Sequence, residues 1–168
     1  VAADAMGVSP EKVRVITGDT NHITYGIGTF GSRSTVNASN AIVMAASTIR
    51  EKALTLAAAK LEASEKALTI KYGKIFVKGA TDKSVTLGEI ANYSISVIGG
   101  PPLPKGSQPG LDSEEYFKPD VPAYAYGAHV AVVEVDPETG FVEILRYIAG
   151  HDCGRMVNPM LVDGQIHG

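Results

Sequence analysis

At 168 residues, 45% of them hydrophobic and 20% charged, the chain is long enough to bury one sizeable core, and one domain is the default. Its formal net charge of −3 comes without any concentrated basic run, so the footprint of a duplex nucleic-acid binder is missing, and no apolar stretch approaches the roughly 20 residues that span a bilayer. A single cysteine, Cys153, excludes an internal disulfide framework and fits a reducing, cytoplasmic setting.

Val1-Ala2-Ala3-Asp4-Ala5-Met6-Gly7 reads as the last turns of an amphipathic helix ending at a glycine. Lys12-Val13-Arg14-Val15-Ile16-Thr17 alternates and is rich in β-branched residues, which predicts a strand. A glycine- and polar-rich stretch follows and runs directly into a helical pattern from about Thr35 to about Ala63. There Ile42, Ala45, Ala46, Ile49, Ala53, Leu56 and Ala57 recur at helical spacing among many helix-favouring alanines. This is expected to be one long helix packed on a sheet.

Ala67 to Tyr72 and Lys74 to Lys78, separated at Gly73, predict a tight hairpin. Thr86 to Tyr93 predicts a short helix begun by Ser84 or Thr86, with Glu89 available for a capping box. Residues 98–122 turn to Pro, Gly, Ser, Asp and Glu and read as a long surface excursion, a type of segment that is functional, mobile or used in assembly contacts. Ala123 to Val135 and Phe141 to Ala149 form two strand patterns joined by Asp136-Pro137-Glu138-Thr139-Gly140, a second hairpin. Near the end, Asn158 is placed as an N-cap and Pro159 as a first helical residue. Both ends read as cut, so residues 1–168 are expected to be one domain taken from a longer polypeptide. Strands and helices are mixed rather than strictly alternating. The expected class is α+β, in two layers, with a mixed sheet, β-hairpins and one long packed helix.

The glycine stretch carries the strongest chemical signal. In Thr17-Gly18-Asp19-Thr20 through Gly26-Ile27-Gly28-Thr29-Phe30-Gly31-Ser32-Arg33-Ser34-Thr35, glycines permit close backbone approach, and the helix start that follows presents unpartnered N–H groups at the positive end of a macrodipole. Arg33 adds a planar charged fork suited to phosphate or carboxylate. A plain turn feeding a helix, with Arg33 solvated, explains the same residues, and residue chemistry leaves both readings open. Gly26-x-Gly28-x-x-Gly31 formally matches a dinucleotide fingerprint, but about seven residues separate it from the preceding strand and the acidic partner would be Glu51, in mid-helix. A P-loop fails because no Lys-Ser/Thr follows the glycines.

The histidines, His22, His129, His151 and His167, show no metal-ligand spacing, and His151, Asp152 and Cys153 are adjacent residues that point different ways from a strand end. No metal ligand and no catalytic residue is assigned to the chain. Asp112, Glu114 and Glu115 read as a solvated loop cluster. The terminal run from His151 to Gly168 repeats the theme of glycine turn, cap and helix, and Gln165 can both donate and accept, as a heterocycle edge requires.

Gly18-Asp19-Thr20, then Gly28 to Thr35, then Tyr126-Gly127-Ala128 leading into Val133-Glu134-Val135-Asp136 and Thr139-Gly140, and finally His151-Asp152-Cys153-Gly154 with Asn158-Pro159 and Gly164-Gln165, resemble the large, molybdopterin-binding subunit of the xanthine dehydrogenase and aldehyde oxidase family. The resemblance implies an oxidoreductase that hydroxylates a heterocycle or aldehyde with oxygen from water at a molybdenum–pterin centre. It implies that Gly31, Ser32, Arg33, Ser34 and Thr35 line the pterin and its phosphate, and that Gln165 approaches the pterin from the second helix start. It further implies two-iron two-sulfur clusters and FAD on other domains or subunits, the rest of the large subunit as a partner, a small-molecule substrate and an oligomeric assembly. The pterin form, with or without a cytosine dinucleotide, stays open. In such a protein the general base and part of the cofactor cradle lie outside these residues, so the isolated fragment is expected to be inactive. A non-catalytic scaffold or subunit-interaction domain is the competing reading, and a nucleotide-binding enzyme the third.

Overall fold

The computed structural model describes residues 1–23, 26, 28–95 and 101–168, and the side chain of residue 81 is not described. Residues 24, 25 and 27 of the glycine stretch and residues 96–100, at the head of the expected excursion, therefore lie outside the described residues. The chain divides into two compact units, Val1–Pro119 and Asp120–Gly168.

The first unit begins with α1 (Ala2–Met6), which ends at Gly7 in the left-handed conformation, as its sequence predicts. The strand expected at Lys12 to Thr17 does not form among the described residues. Pro10–Lys12 make a 3-10 turn, and Val13 is extended (φ −100°, ψ 121°) yet joins no sheet. β-branched residues impose the extended backbone, but a strand also needs a partner edge.

The long helix α2 (Ser34–Leu61) spans 28 residues, or ~42 Å at 1.5 Å per residue. Its buried residues, Ala46, Ala53, Leu56, Ala57 and Leu61, all lie beyond its first three turns. The N-terminal part is therefore held up from its C-terminal half, and none of residues 34–45 is buried. Strands β1 (Leu68–Lys71), β2 (Lys74–Val77) and β3 (Ala80–Thr86) form an antiparallel sheet in that order. Tyr72 and Gly73, both at positive φ (53° and 73°), make the tight β1–β2 turn that matches the twist of the ribbon.

The register places Ile70 opposite Ile75 and Ile75 opposite Val85, a row of apolar side chains across one sheet face. That row packs with Leu68 against Ala53, Leu56, Ala57 and Leu61 of α2 and Ile90 of α3 (Leu87–Ser94) to form the core. Small alanines on α2 let the helix approach the sheet closely. α3 starts at the predicted capping box, with Thr86 Oγ1 accepting from the Glu89 amide at 3.1 Å and Glu89 Oε2 accepting from the Thr86 amide at 2.7 Å.

The described part of the long excursion is tied down rather than free. The Gly110 amide donates to the Ser94 carbonyl (3.1 Å), Lys52 Nζ to the Asp112 carbonyl (2.8 Å) and Thr48 Oγ1 to Glu115 (3.3 Å), while Leu103 and Leu111 pack on the core.

The second unit is a long antiparallel ribbon, β4 (Tyr126–Val135) and β5 (Val142–Asp152), followed by α4 (Pro159–His167). Asp136 organises the ribbon's turn, accepting from the Glu138 amide (2.8 Å) and the Thr139 hydroxyl (2.7 Å), bonds that hold its carboxyl below the usual range. Asn158 caps α4 by accepting from the Leu161 amide, with Pro159 first in the helix. The class is α+β, and both described sheets are antiparallel throughout.

Candidate cofactor-binding site

The glycine stretch is built in two steps. Asp19 first folds its own turn: its backbone carbonyl accepts from the His22 and Ile23 amides, and its carboxylate accepts from the Asn21 amide (2.9 Å) and pairs with His22 Nδ1 (3.0 Å). The chain then enters α2 through Gly28-Thr29-Phe30-Gly31-Ser32-Arg33. Gly31 (φ 60°) and Ser32 (φ 53°) are consecutive left-handed residues, a conformation that turns successive backbone groups toward one side of a loop. Among the described residues nothing within 4 Å would meet a Cβ at Gly28 or Gly31, so these glycines serve backbone shape.

Arg33 stands at the N-cap of α2 and offers no capping bond to the first-turn amides. Its guanidinium turns back instead: Nη2 donates to the Gly28 carbonyl at 3.0 Å, and the group lies 3.8 Å from the centre of the Phe30 ring. Thr29 and Ser34 hydroxyls hydrogen-bond across the same loop. The first recorded helical bond joins the Asn37 amide to the Arg33 carbonyl at 2.9 Å, which leaves Ser34, Thr35 and Val36 as the first-turn donors at the positive end of the macrodipole. Among the described residues the ion pairs are Val1 with Asp4 and Asp19 with His22, so no carboxylate neutralises Arg33.

One turn further in, the Asn37 side-chain oxygen is buried and lacks a hydrogen-bond partner among the described residues. A buried polar atom left unpaired is costly, so this end of α2 carries an unmet demand for a polar contact. The sequence reading passed over both Asn37 and Phe30. The aromatic residue three positions before an arginine was the available signal for Phe30, and Asn37 had none.

Gly31, Ser32, Arg33, Ser34 and Thr35 are thus brought together at one helix start, in the first unit. Gln165 belongs to the second unit, where it is exposed. It does not sit in a turn at a helix start. Gly164 and Gln165 lie inside α4, past its capped beginning, because Asn158 and Pro159 start the helix early enough to include them. A crevice of about 420 Å³ lies elsewhere, between Thr48, Glu51, Lys52 and Thr55 of α2 and Lys105 to Gln108, and contains none of these residues. Among the described residues no group of three or more His, Cys, Asp or Glu is placed to hold a metal ion, and Cys153 is exposed and unpaired in any disulfide.

The α2 start thus combines a left-handed glycine loop, first-turn amide donors and a guanidinium with no carboxylate partner among the described residues, the groups an anion would require. The family described as molybdopterin cofactor-binding domain matches residues 1–168, and the chain belongs to it. It is 38% identical over its full length to the carbon monoxide dehydrogenase large chain of Hydrogenophaga pseudoflava, covering 20% of that protein, and 36% identical to the nicotine 6-hydroxylase large subunit of Paenarthrobacter nicotinovorans, again covering 20%. Among solved structures, the Cu,Mo carbon monoxide dehydrogenase in its carbon monoxide reduced state superposes with a TM-score of 0.82 at 35% identity, over 99% of this chain and 20% of that one. Quinoline 2-oxidoreductase from Pseudomonas putida 86 gives 0.82 at 34%, over 98% and 21%. The chain therefore spans about a fifth of the length of the relatives it matches.

The residues present suit a pterin phosphate. The glycine loop at Gly28 and Gly31, the uncapped first turn and the orphaned Asn37 oxygen together offer donors for an anion and a polar site for a ring substituent.

Proposed function

We propose that this domain supplies part of the cofactor cradle of a molybdenum hydroxylase that oxidises a heterocycle or an aldehyde with oxygen taken from water. What supports the reading is the match to a family of molybdopterin-binding domains together with the α2 start, whose uncapped first turn would accept a phosphate. Gly31, Ser32, Ser34 and Thr35 would hold the phosphate through backbone and hydroxyl donors, Arg33 would fix the loop and add positive charge, and Gln165 would meet the pterin ring edge.

When bound, the molybdenum–pterin group supplies the two-electron oxidation, and the protein's part is binding, orientation and electrostatics. The pterin, with or without a cytosine dinucleotide, is served by the same loop. Iron–sulfur clusters and FAD belong to partner domains or subunits in this reading, consistent with relatives named as large chains and large subunits. Relatives are named for carbon monoxide as well as for nicotine and quinoline, so their names do not single out one substrate class.

The test is metal and pterin analysis of a complete large chain carrying this sequence, with and without Arg33→Ala and Gln165→Ala. Molybdenum near one per chain that falls in both variants is the expected result. A complete chain free of molybdenum and pterin when supplied with both would leave the scaffold reading.

A further inference from the structure

The β4–β5 ribbon places two histidines around a gap that the sequence leaves open. The register sets Gly127 opposite His151 and His129 opposite Ala149, so Gly127, His129 and His151 share one face of the ribbon. A Cβ built on Gly127 would lie 3.3 Å from the Gly150 carbonyl oxygen, 3.5 Å from His151 Nδ1 and 3.8 Å from His129 Nε2. Both imidazoles thus turn a ring nitrogen toward the same missing side chain. On its other edge His129 is held by Tyr147, whose hydroxyl lies 2.9 Å from Nδ1, with the two rings edge to face at 5.7 Å. In the tautomer whose Nδ1–H donates to the phenol oxygen, Nε2 carries the free lone pair and faces the gap. An outer hydrogen bond that fixes tautomer and ring direction is the usual support of a metal-binding histidine.

We propose that His129 and His151 form a two-imidazole site for a late divalent transition metal, copper(II) in preference to zinc(II), with Tyr147 as a positioning residue and Gly127 providing the room. Imidazole nitrogen suits both ions, and the order of divalent affinities puts copper first for a given nitrogen set. Both nitrogens lie within 4 Å of the Cβ position that Gly127 leaves vacant, and rotation of the two side chains would have to bring them from there to the ~2 Å of a metal bond. No third His, Cys, Asp or Glu joins them among the described residues, so water completes the coordination and the site exchanges its metal readily. The inference does not depend on the pterin reading.

The experiment is titration of a complete large chain carrying this sequence with copper(II) chloride in a non-coordinating buffer near neutral pH, in a Cys153→Ser background that removes the exposed thiol, each variant read as the difference from that parent. Electron paramagnetic resonance reads the number of imidazole nitrogens and calorimetry the affinity. The expected result is one readily exchanged equivalent with a two-imidazole signature. His129→Ala and His151→Ala each weaken it at least tenfold. Gly127→Ala weakens it while keeping both rings, and Tyr147→Phe weakens it a few-fold while keeping the two-nitrogen signature. Zinc(II) chloride binds the same chain more weakly. An affinity unchanged in either histidine variant, or an equal loss from His22→Ala or His167→Ala, overturns the proposal; circular dichroism of each variant separates lost ligands from lost structure.

Discussion

Arg33 holds the glycine loop closed through Gly28 and Phe30, and the closure can be weighed. At an exposed site a cation–π contact contributes about 0.5–1 kcal/mol. The guanidinium bond to the Gly28 carbonyl, charge-assisted but solvent-facing, adds about 1 kcal/mol, the value of an ordinary hydrogen bond rather than the ~1.5–3 kcal/mol of one to a charged group. Together they favour the closed loop by about 1.5–2 kcal/mol, a factor of about 10–30 in its population. The Asn37 amide, bonded to the Arg33 carbonyl, is the first helical bond behind the closure and reports on it. In hydrogen exchange on the 168-residue chain, Arg33→Ala should speed exchange at Asn37 about tenfold and Phe30→Leu about threefold. The two side chains act on one contact, so Phe30→Leu should have little effect in the Arg33→Ala background. Independent, multiplying effects, or a silent Phe30→Leu, would refute the reasoning and leave Arg33 as a solvated side chain. A closed loop also lowers the ordering cost of receiving an anion, which links this stability measurement to the proposed cofactor site.

Ile90 is fully buried between α2 and the sheet, so Ile90→Ala should destabilise the first unit by about 3 kcal/mol and lower its urea midpoint without disturbing the second unit's ribbon. Glu89 has its carboxyl held below the usual range, first by the Thr86 amide and then by the Thr86 hydroxyl. Because the folded value is the lower one, the stabilisation is present above the unfolded carboxyl value of about 4.3 and is lost as pH falls through the folded value. Thr86→Val should move Glu89 part of the way back up in a carboxyl NMR titration, since the amide bond survives. Glu62 ends α2 in the left-handed conformation (φ 49°), where a side chain costs roughly 1 kcal/mol, so Glu62→Gly should raise the melting temperature by about 2–4 °C.

What the sequence made legible follows from where its information is local. The β1–β2 hairpin, the capping box at Thr86 and the Asn158-Pro159 helix start each need only a few neighbouring residues, and each forms where the pattern places it. β3 was not legible, because Ala80–Thr86 buries Val85 through pairing with β2 while its other residues are largely polar. The reverse holds at residues 13–17, where Val13 is extended but Val15 and Ile16 are exposed and no partner edge is present among the described residues.

The candidate sites divide in the same way. Gly31 to Thr35 were legible as a glycine loop feeding a helix start because loop and helix are contiguous, whereas the return of Arg33 onto Phe30 depends on two left-handed residues between them. For His151 the sequence offered Asp152 and Cys153 as companions. Neighbours along a strand point to opposite faces, so the companion that matters sits across the ribbon, where register brings His129 to the same face and Gly127 leaves the space between them. Pairing register, which the turn at Asp136 to Phe141 and the shift near Val132 fix together, is therefore what turns two separated histidines into a single candidate site.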